Sequence, residues 1–191
     1  VSGFTTTGAS VLSNVEALSK CMLFWRSFTH WVGGMGILVF MLAIVPATGG
    51  SLVHILRAES TGPSVEKMTP KLSATAKHLY LIYIALTAVM FVLLKCDPTM
   101  PVFDALVNSF GTAGTGGFAV RNTSIADYSA YSQIVITVFM IVFGVNFNIY
   151  FLVVLGKLRQ AYKNEELRAY LGIVLASIAL IVANLMHSGV F

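Results

Sequence analysis

Two short runs of small, uncharged residues carry the chemistry this chain can offer. One is Thr5, Thr6, Thr7 and Gly8; the other is Gly111, Thr112, Ala113 and Gly114. A cation leaving water must exchange its hydration shell for other oxygens. Potassium filters supply them as backbone carbonyls gathered from several loops around an axis. Glycine permits the left-handed or extended turns that aim successive carbonyls one way. Threonine adds a hydroxyl as one more oxygen ligand. Thr/Gly runs without charge therefore fit the loops of a cation pore. A plain turn explains a lone run of this kind, but two runs in matching surroundings ask for more.

The surroundings are apolar. Of 191 residues, 57% are hydrophobic and only 10% charged, and the mean hydropathy is +0.82. Soluble domains carry about 25% charged residues, so the solvent implied here is lipid. Cys21 and Cys96 stand alone, with no CxxC spacing, and support neither a disulfide framework nor a zinc site. The chain opens at Val1 in a Ser/Gly/Thr-rich stretch with no signal-peptide pattern. It is expected to be a fragment lacking at least one upstream segment.

A spanning helix needs about 20 mostly apolar residues. Residues 22–46, 78–96, 132–156 and 168–187 qualify, the first interrupted by Arg26 and His30. Between the second and third lies PVFDALVNSFGTAGTGGF, residues 101–118. Its first ten residues have helical spacing, and its last eight hold four glycines. The stretch is too short to span and too apolar for an exposed loop. A half-length helix followed by a Gly/Thr loop, a re-entrant segment, is predicted. The half-helix would direct its negative C-terminal dipole end toward a cation.

By letters, Phe4-Thr5-Thr6-Thr7-Gly8 lies on Phe110-Gly111-Thr112-Ala113-Gly114, a shift of 106 residues that also brings the run from Phe24 onto that from Ala130. The repeat unit reads helix, pore loop, helix. The fold class predicted is an all-α membrane protein of such units. Residues 1–48 end one unit, 49–74 form a cytoplasmic loop, 75–156 make a complete unit, and 157–191 hold a linker and the first helix of the next. Arg57, Lys67, Lys71 and Lys77 fall in one connecting loop, and Lys157, Arg159, Lys163 and Arg168 in another. The positive-inside rule makes both cytoplasmic and opens the Gly/Thr loops to the outside.

SGFTTTGAS (2–10), FWRSFTHWVGGMGI (24–37), RAESTGPS (57–64), FDALVNSFGTAGTGGF (103–118) and FGVNFNIYF (143–151) together resemble the Trk/Ktr-type potassium uptake proteins of bacteria, along essentially the whole chain. The resemblance implies four helix–pore–helix units around a pseudo-fourfold pore, of which this chain would cover the end of the second, all of the third and the start of the fourth. It implies a multi-pass protein of the bacterial plasma (inner) membrane that takes up K+, with Na+ or H+ as possible coupling ion. It further implies a homodimer bound by cytoplasmic nucleotide-binding regulatory subunits of the RCK/KTN type. Carried over by position, the filter is Thr5, Thr6, Thr7 and Gly8 in one quarter and Gly111, Thr112, Ala113 and Gly114 in another, with one filter glycine each in Gly8 and Gly114.

Gly144, Asn146 and Asn148 interrupt the third apolar run, and amides inside a membrane are costly without partners or water. The resemblance implies a break at 143–148 that gates the pore; an unbroken helix whose amides bond its neighbours is the alternative. Arg26 and His30 stand at i and i+4, for roles at the pore entrance, where Arg26 could pair with Glu16, or in packing. His30 adjoins a Gly33-Gly34-Met35-Gly36 run that invites close helix approach, and has no second ligand at metal spacing. Basic loops set topology and meet anionic lipid. No nucleic-acid partner is expected. Neither GxSG nor HExxH occurs, which argues against an intramembrane protease. Transport of another cation or solute through the same loops stays open.

Overall fold

The computed structural model describes residues 1–36, 72–117 and 119–188. The end of the first predicted span, most of the 49–74 loop with Arg57, Lys67 and Lys71, and the 57–64 motif lie outside the described residues. The chain divides into two compact units, Val1–Gly144 and Val145–Phe191. Among the described residues the regular structure is entirely helical.

In the first unit an irregular segment leads into α1 (Lys20–Gly34), followed by α2 (Leu72–Lys95), α3 (Val102–Ala113) and α4 (Ala130–Phe143). α2 buries Tyr83, Met90 and Leu94 on one face and leaves Leu81, Ile84, Val89 and Val92 exposed on the other. α3 starts behind Pro101, with Asp104 in its first turn, where a negative charge complements the helix dipole. Ser129 caps α4 by accepting from the Ser132 N–H at 3.2 Å.

Short polar devices tie the ends together. Asp97, buried just past α2, accepts from the hydroxyls of Ser129, Ser132 at 2.6 Å and Thr99 at 2.6 Å, and from the Thr99 N–H at 2.9 Å. α2 is thereby fastened to the start of α4. These bonds, from Ser129 and Ser132 first, hold the Asp97 carboxyl well below the usual carboxylate range. Tyr128 donates to Asp104 at 2.8 Å, anchoring the loop before α4 on α3. Val15, Leu23, Val107 and Val120 form an apolar cluster, with Leu18 and Phe103 packed against it.

The second unit contains α5 (Phe147–Val154), α6 (Leu158–Tyr162) and α7 (Glu165–His187). Val145, Ile149 and Ala161 form its core, with Tyr150, Leu152, Leu167 and Tyr170 against them. Asn164 caps α7, accepting from the N–H groups of Glu166 at 2.9 Å and Leu167 at 3.4 Å.

Among the described residues, Ala76–Lys95 and Glu165–His187 are each long and apolar enough to cross a membrane, and the bent pair α4 and α5 has the length and composition of a third, broken span or of a re-entrant loop. The predicted half-helix is present but longer than expected: α3 runs through Gly111, Thr112 and Ala113. All three are buried, and the helix continues as long as its small residues pack.

Candidate functional site

The two Gly/Thr runs end on the same backbone device. In the first, the N–H groups of Thr5, Thr6 and Thr7 donate to the carbonyls of Val1, Gly3 and Ser2 at 3.1, 3.0 and 3.1 Å. In the second, those of Gly114, Thr115 and Gly116 donate to Phe110, Thr112 and Gly111 at 3.2, 2.8 and 3.0 Å. The crossed pair, one bond reaching back five residues and one three, is the Schellman closure of a helix end. Its left-handed residue is Thr6 (φ 52°) in the first run and Thr115 (φ 55°) in the second. Two residues on, Gly8 (φ 71°) and Gly117 (φ 73°) turn left-handed again.

These bonds and angles coincide at a shift of 109 residues, which carries Thr6 onto Thr115 and Gly8 onto Gly117. The letter match had paired Gly8 with Gly114. Gly114 has φ −81° and caps α3, so it corresponds to Thr5. This corrects the placement of Gly111, Thr112 and Ala113: they form the last turn of α3, and the carbonyls of Gly111 and Thr112 are spent on closing it. The second loop is therefore Gly114, Thr115, Gly116 and Gly117, opposite Thr5, Thr6, Thr7 and Gly8. A β-branched residue at positive φ is strained, and such strain gathers where function demands a geometry. Both loops place a threonine there.

α1 wedges between the loops. On one side a Cβ on Gly3 would strike Thr29 Oγ1, and one on Gly33 would lie 2.5 Å from the Phe4 carbonyl. One residue round the helix, a Cβ on Gly34 would lie 2.8 Å from the Gly114 Cα. His30 is fully buried, and its Nε2 is 3.0 Å from the Gly114 carbonyl oxygen. A Cβ on Gly114 would meet His30 Cδ2, and one on Gly116 would meet Nε2. The predicted packing role of His30 and of the glycine run is present, directed at the loops. The loops also meet each other: a Cβ on Gly8 would collide with the Gly116 carbonyl.

Aromatic rings surround α1. Phe28 and Trp31 stack at 5.9 Å, and Phe110 of α3 meets Phe24, Phe28 and Trp31 at 5.9, 6.1 and 5.5 Å. Tyr83 of α2 stacks on Trp31 at 5.4 Å and donates to its carbonyl at 2.8 Å. Trp31 Nε1 donates to Thr87 at 3.2 Å. Arg26 is half-buried on the same helix, its carbonyl accepting from Thr29 Oγ1 at 2.8 Å. Glu16 accepts from the Asn122 N–H at 3.1 Å.

Asn122 joins the segments that follow the two loops, and sequence reasoning missed it. Its Oδ1 accepts from the Val15 N–H at 2.7 Å and its Nδ2 donates to Asn14 at 2.9 Å. A lone asparagine in a polar stretch gives no signal of this, nor does Asp97 of its four donors. Among the described residues no group of three His, Cys, Asp or Glu stands ready to hold a metal ion.

The third predicted site is a break in the helix. α4 ends at Phe143 with Gly144 as its cap, and α5 begins at Phe147. Asn146 caps α5, accepting from the Asn148 N–H at 3.0 Å, while its Nδ2 reaches the Glu166 carboxylate at 3.0 and 3.1 Å. The alternative of an unbroken helix is thereby excluded.

The TrkH family of cation transport proteins matches residues 1–183. The potassium uptake protein TrkH of Salmonella typhimurium is 34% identical over 193 residues, covering 100% of this chain and 40% of the relative. That of Vibrio parahaemolyticus is 39% identical over 178 residues, covering 89% and 36%. The crystal structure of the potassium transporter TrkH from Vibrio parahaemolyticus superposes with a TM-score of 0.78 at 30% identity, covering 100% of this chain and 38% of that one. The chain thus spans about two fifths of the length of the relatives it matches.

Proposed function

The chain belongs to the TrkH family of cation transport proteins, and from that premise we propose that it supplies two neighbouring quarters of a potassium filter, Thr5 to Gly8 and Gly114 to Gly117, in a protein that takes up K+ across the bacterial plasma membrane. The observation that carries this is the shared backbone of the two loops. Each ends a helix-like segment in a Schellman closure around one left-handed residue and turns left-handed once more two residues on. Among the described residues, the carbonyls of Thr6, Thr7 and Gly8, and of Thr115, Gly116 and Gly117, accept no hydrogen bond. Uncommitted carbonyls beside a closed helix end are what a dehydrated cation needs, and the negative end of the α3 dipole adds to their field. The names of the relatives point to potassium.

The relocated register changes the site. Gly117 takes the filter role first given to Gly114, and Thr115 brings the second loop's hydroxyl. Gly111, Thr112 and Ala113 support the loop from behind. The break at Gly144, Asn146 and Asn148 is the gate of this reading, with Asn146 held to Glu166 of α7. The four-unit pore, the cytoplasmic placing of the basic segments, a homodimer, RCK/KTN-type regulatory subunits and Na+ or H+ coupling follow from the family resemblance and belong to the proposal. The product of the reaction is a moved ion, so no catalytic residue is assigned.

The test uses the full-length protein in cells lacking their own potassium uptake. Growth at low potassium and rubidium uptake are expected with the wild-type protein, and Gly117→Ser is expected to lose discrimination of potassium over sodium. Background rubidium uptake by a well-expressed wild-type protein overturns the function. Unchanged discrimination in Gly117→Ser removes Gly117 from the filter. Asn146→Ala with Asn148→Ala is expected to alter flux or its activation; wild-type behaviour removes the gate.

A further inference from the structure

His30 belongs to neither loop, yet it meets the second at both Gly114 and Gly116. We propose that His30 is the positioning residue of the second loop: its Nε2–H holds the Gly114 carbonyl, and its ring fills the space left by the missing side chains at Gly114 and Gly116. The helix of one repeat thereby sets the filter geometry of the next, and with it the preference for potassium over sodium. This rests on the filter reading given above.

Three observations converge. The first is the bond, 3.0 Å from a fully buried ring to a carbonyl at the root of the loop. A carbonyl only accepts, so Nε2 must carry the proton. The second is the fit, since a Cβ at either Gly114 or Gly116 would fall on the imidazole.

The third is the contrast with the first loop. The positions matching Gly114 and Gly116 there are Thr5 and Thr7, whose hydroxyls bond each other at 2.8 Å. Thr5 Oγ1 also reaches the Val1 carbonyl at 3.1 Å. The first loop is braced by its own side chains. The second has no side chain at these positions: Thr115 Oγ1 bonds the Gly114 carbonyl at 2.7 Å, and His30 adds a second donor to that carbonyl from α1.

α1 can act as a brace because it is itself fixed. Tyr83 and Thr87 of α2 hold Trp31 by hydrogen bonds of 2.8 and 3.2 Å, next in sequence to His30. A binding group is effective when its supports keep it within about 0.5 Å of its place, and the Gly114 carbonyl is one residue from the first uncommitted carbonyl of the loop.

The experiment compares His30→Ala, His30→Gln and Gly117→Ser in the full-length protein, with potassium and sodium uptake normalised to folded protein by size-exclusion chromatography in detergent. His30→Ala is expected to lower potassium-over-sodium discrimination about tenfold, the equivalent of one hydrogen bond. His30→Gln is expected to recover most of it, because its terminal amide N–H reaches where Nε2 stood. Wild-type discrimination in His30→Ala, with discrimination lost in Gly117→Ser, overturns the role of His30 and leaves the filter standing. Wild-type discrimination in both overturns the filter and this inference with it. Equal loss in His30→Ala and His30→Gln shows that packing alone matters and overturns the brace. Should His30→Ala not fold, His30→Asn replaces it. Its amide is one methylene short, so equal discrimination in the Asn and Gln variants overturns the inference.

Discussion

The first and second loops reach the same backbone by different means. In one, Thr5 and Thr7 bond each other across the turn; in the other, Gly114 and Gly116 leave room for an imidazole from α1. The first is braced within itself; the second has one internal bond, from Thr115 Oγ1 to the Gly114 carbonyl at 2.7 Å, and takes a second from a neighbouring repeat. Equivalent loops in a repeat protein need equivalent carbonyl positions, not equivalent side chains. The supports are free to diverge as long as the helix end and the left-handed turns stay in place.

The contact between the loops offers the severest way to break this comparison. Gly8→Ala places a Cβ on the Gly116 carbonyl at a residue whose φ is 71°. Overpacking and left-handed strain together are expected to cost about 2–5 kcal/mol. The detergent-solubilised protein should melt well below wild type and carry no rubidium. Normal uptake would mean that the loops do not adjoin there.

An exchange of side chains sharpens the contrast. Gly116→Thr gives the second loop the residue of the first and drives it into His30 Nε2; uptake should collapse. Thr7→Gly, the reverse exchange, removes one hydroxyl bond and should cost about 1 kcal/mol, with uptake falling only a few-fold. Equal effects would erase the distinction between the two supports.

Asp97 tests how far the second loop relies on the frame around it. Its carboxyl is held below the ordinary range by Ser129, Ser132 and Thr99, so the charged form is favoured by folding. The stabilisation is fully present above the unfolded value of about 3.9 and is lost as pH falls toward the folded value. Melting of the wild type and of Asp97→Asn should differ most above pH 4, and the gap should close on acidification. A gap that widens on acidification would contradict the assigned sign.

The smallest effect is expected at Asn122, whose side chain links the segments after the two loops at 2.7 and 2.9 Å. Asn122→Ala should cost about 1 kcal/mol, read as a modest drop in melting temperature with discrimination retained. Lost discrimination would show that the segments, and not His30, set the second loop.

Much of the frame was legible in the sequence. The apolar runs at 78–96 and 168–187 are helices long enough to cross a membrane, because an uncharged run of this length has no other way to satisfy its backbone in lipid. Gly144 and Asn146 mark the end of one helix and the start of the next, because a glycine and a capping amide inside an apolar run disturb a helix in any setting. Other features were hidden. The Ser129 and Ser132 hydroxyls on Asp97 and the bridge from Asn122 to Asn14, Val15 and Glu16 join residues far apart in the chain, and no local pattern signals them.

The sequence by itself determined that two uncharged Gly/Thr loops recur in an apolar chain, each followed by a long helix, because composition and spacing suffice to make such loops. The tertiary structure alone decided which residues those loops contain. FTTTG and FGTAG match by letter at a shift of 106 residues, while the backbone matches at 109. Where α3 stops depends on how far Gly111, Thr112 and Ala113 stay buried and on the carbonyl that His30 takes at Gly114. A helix end is set by its closing hydrogen bonds and by the space around it, and neither is written in the letters of the loop.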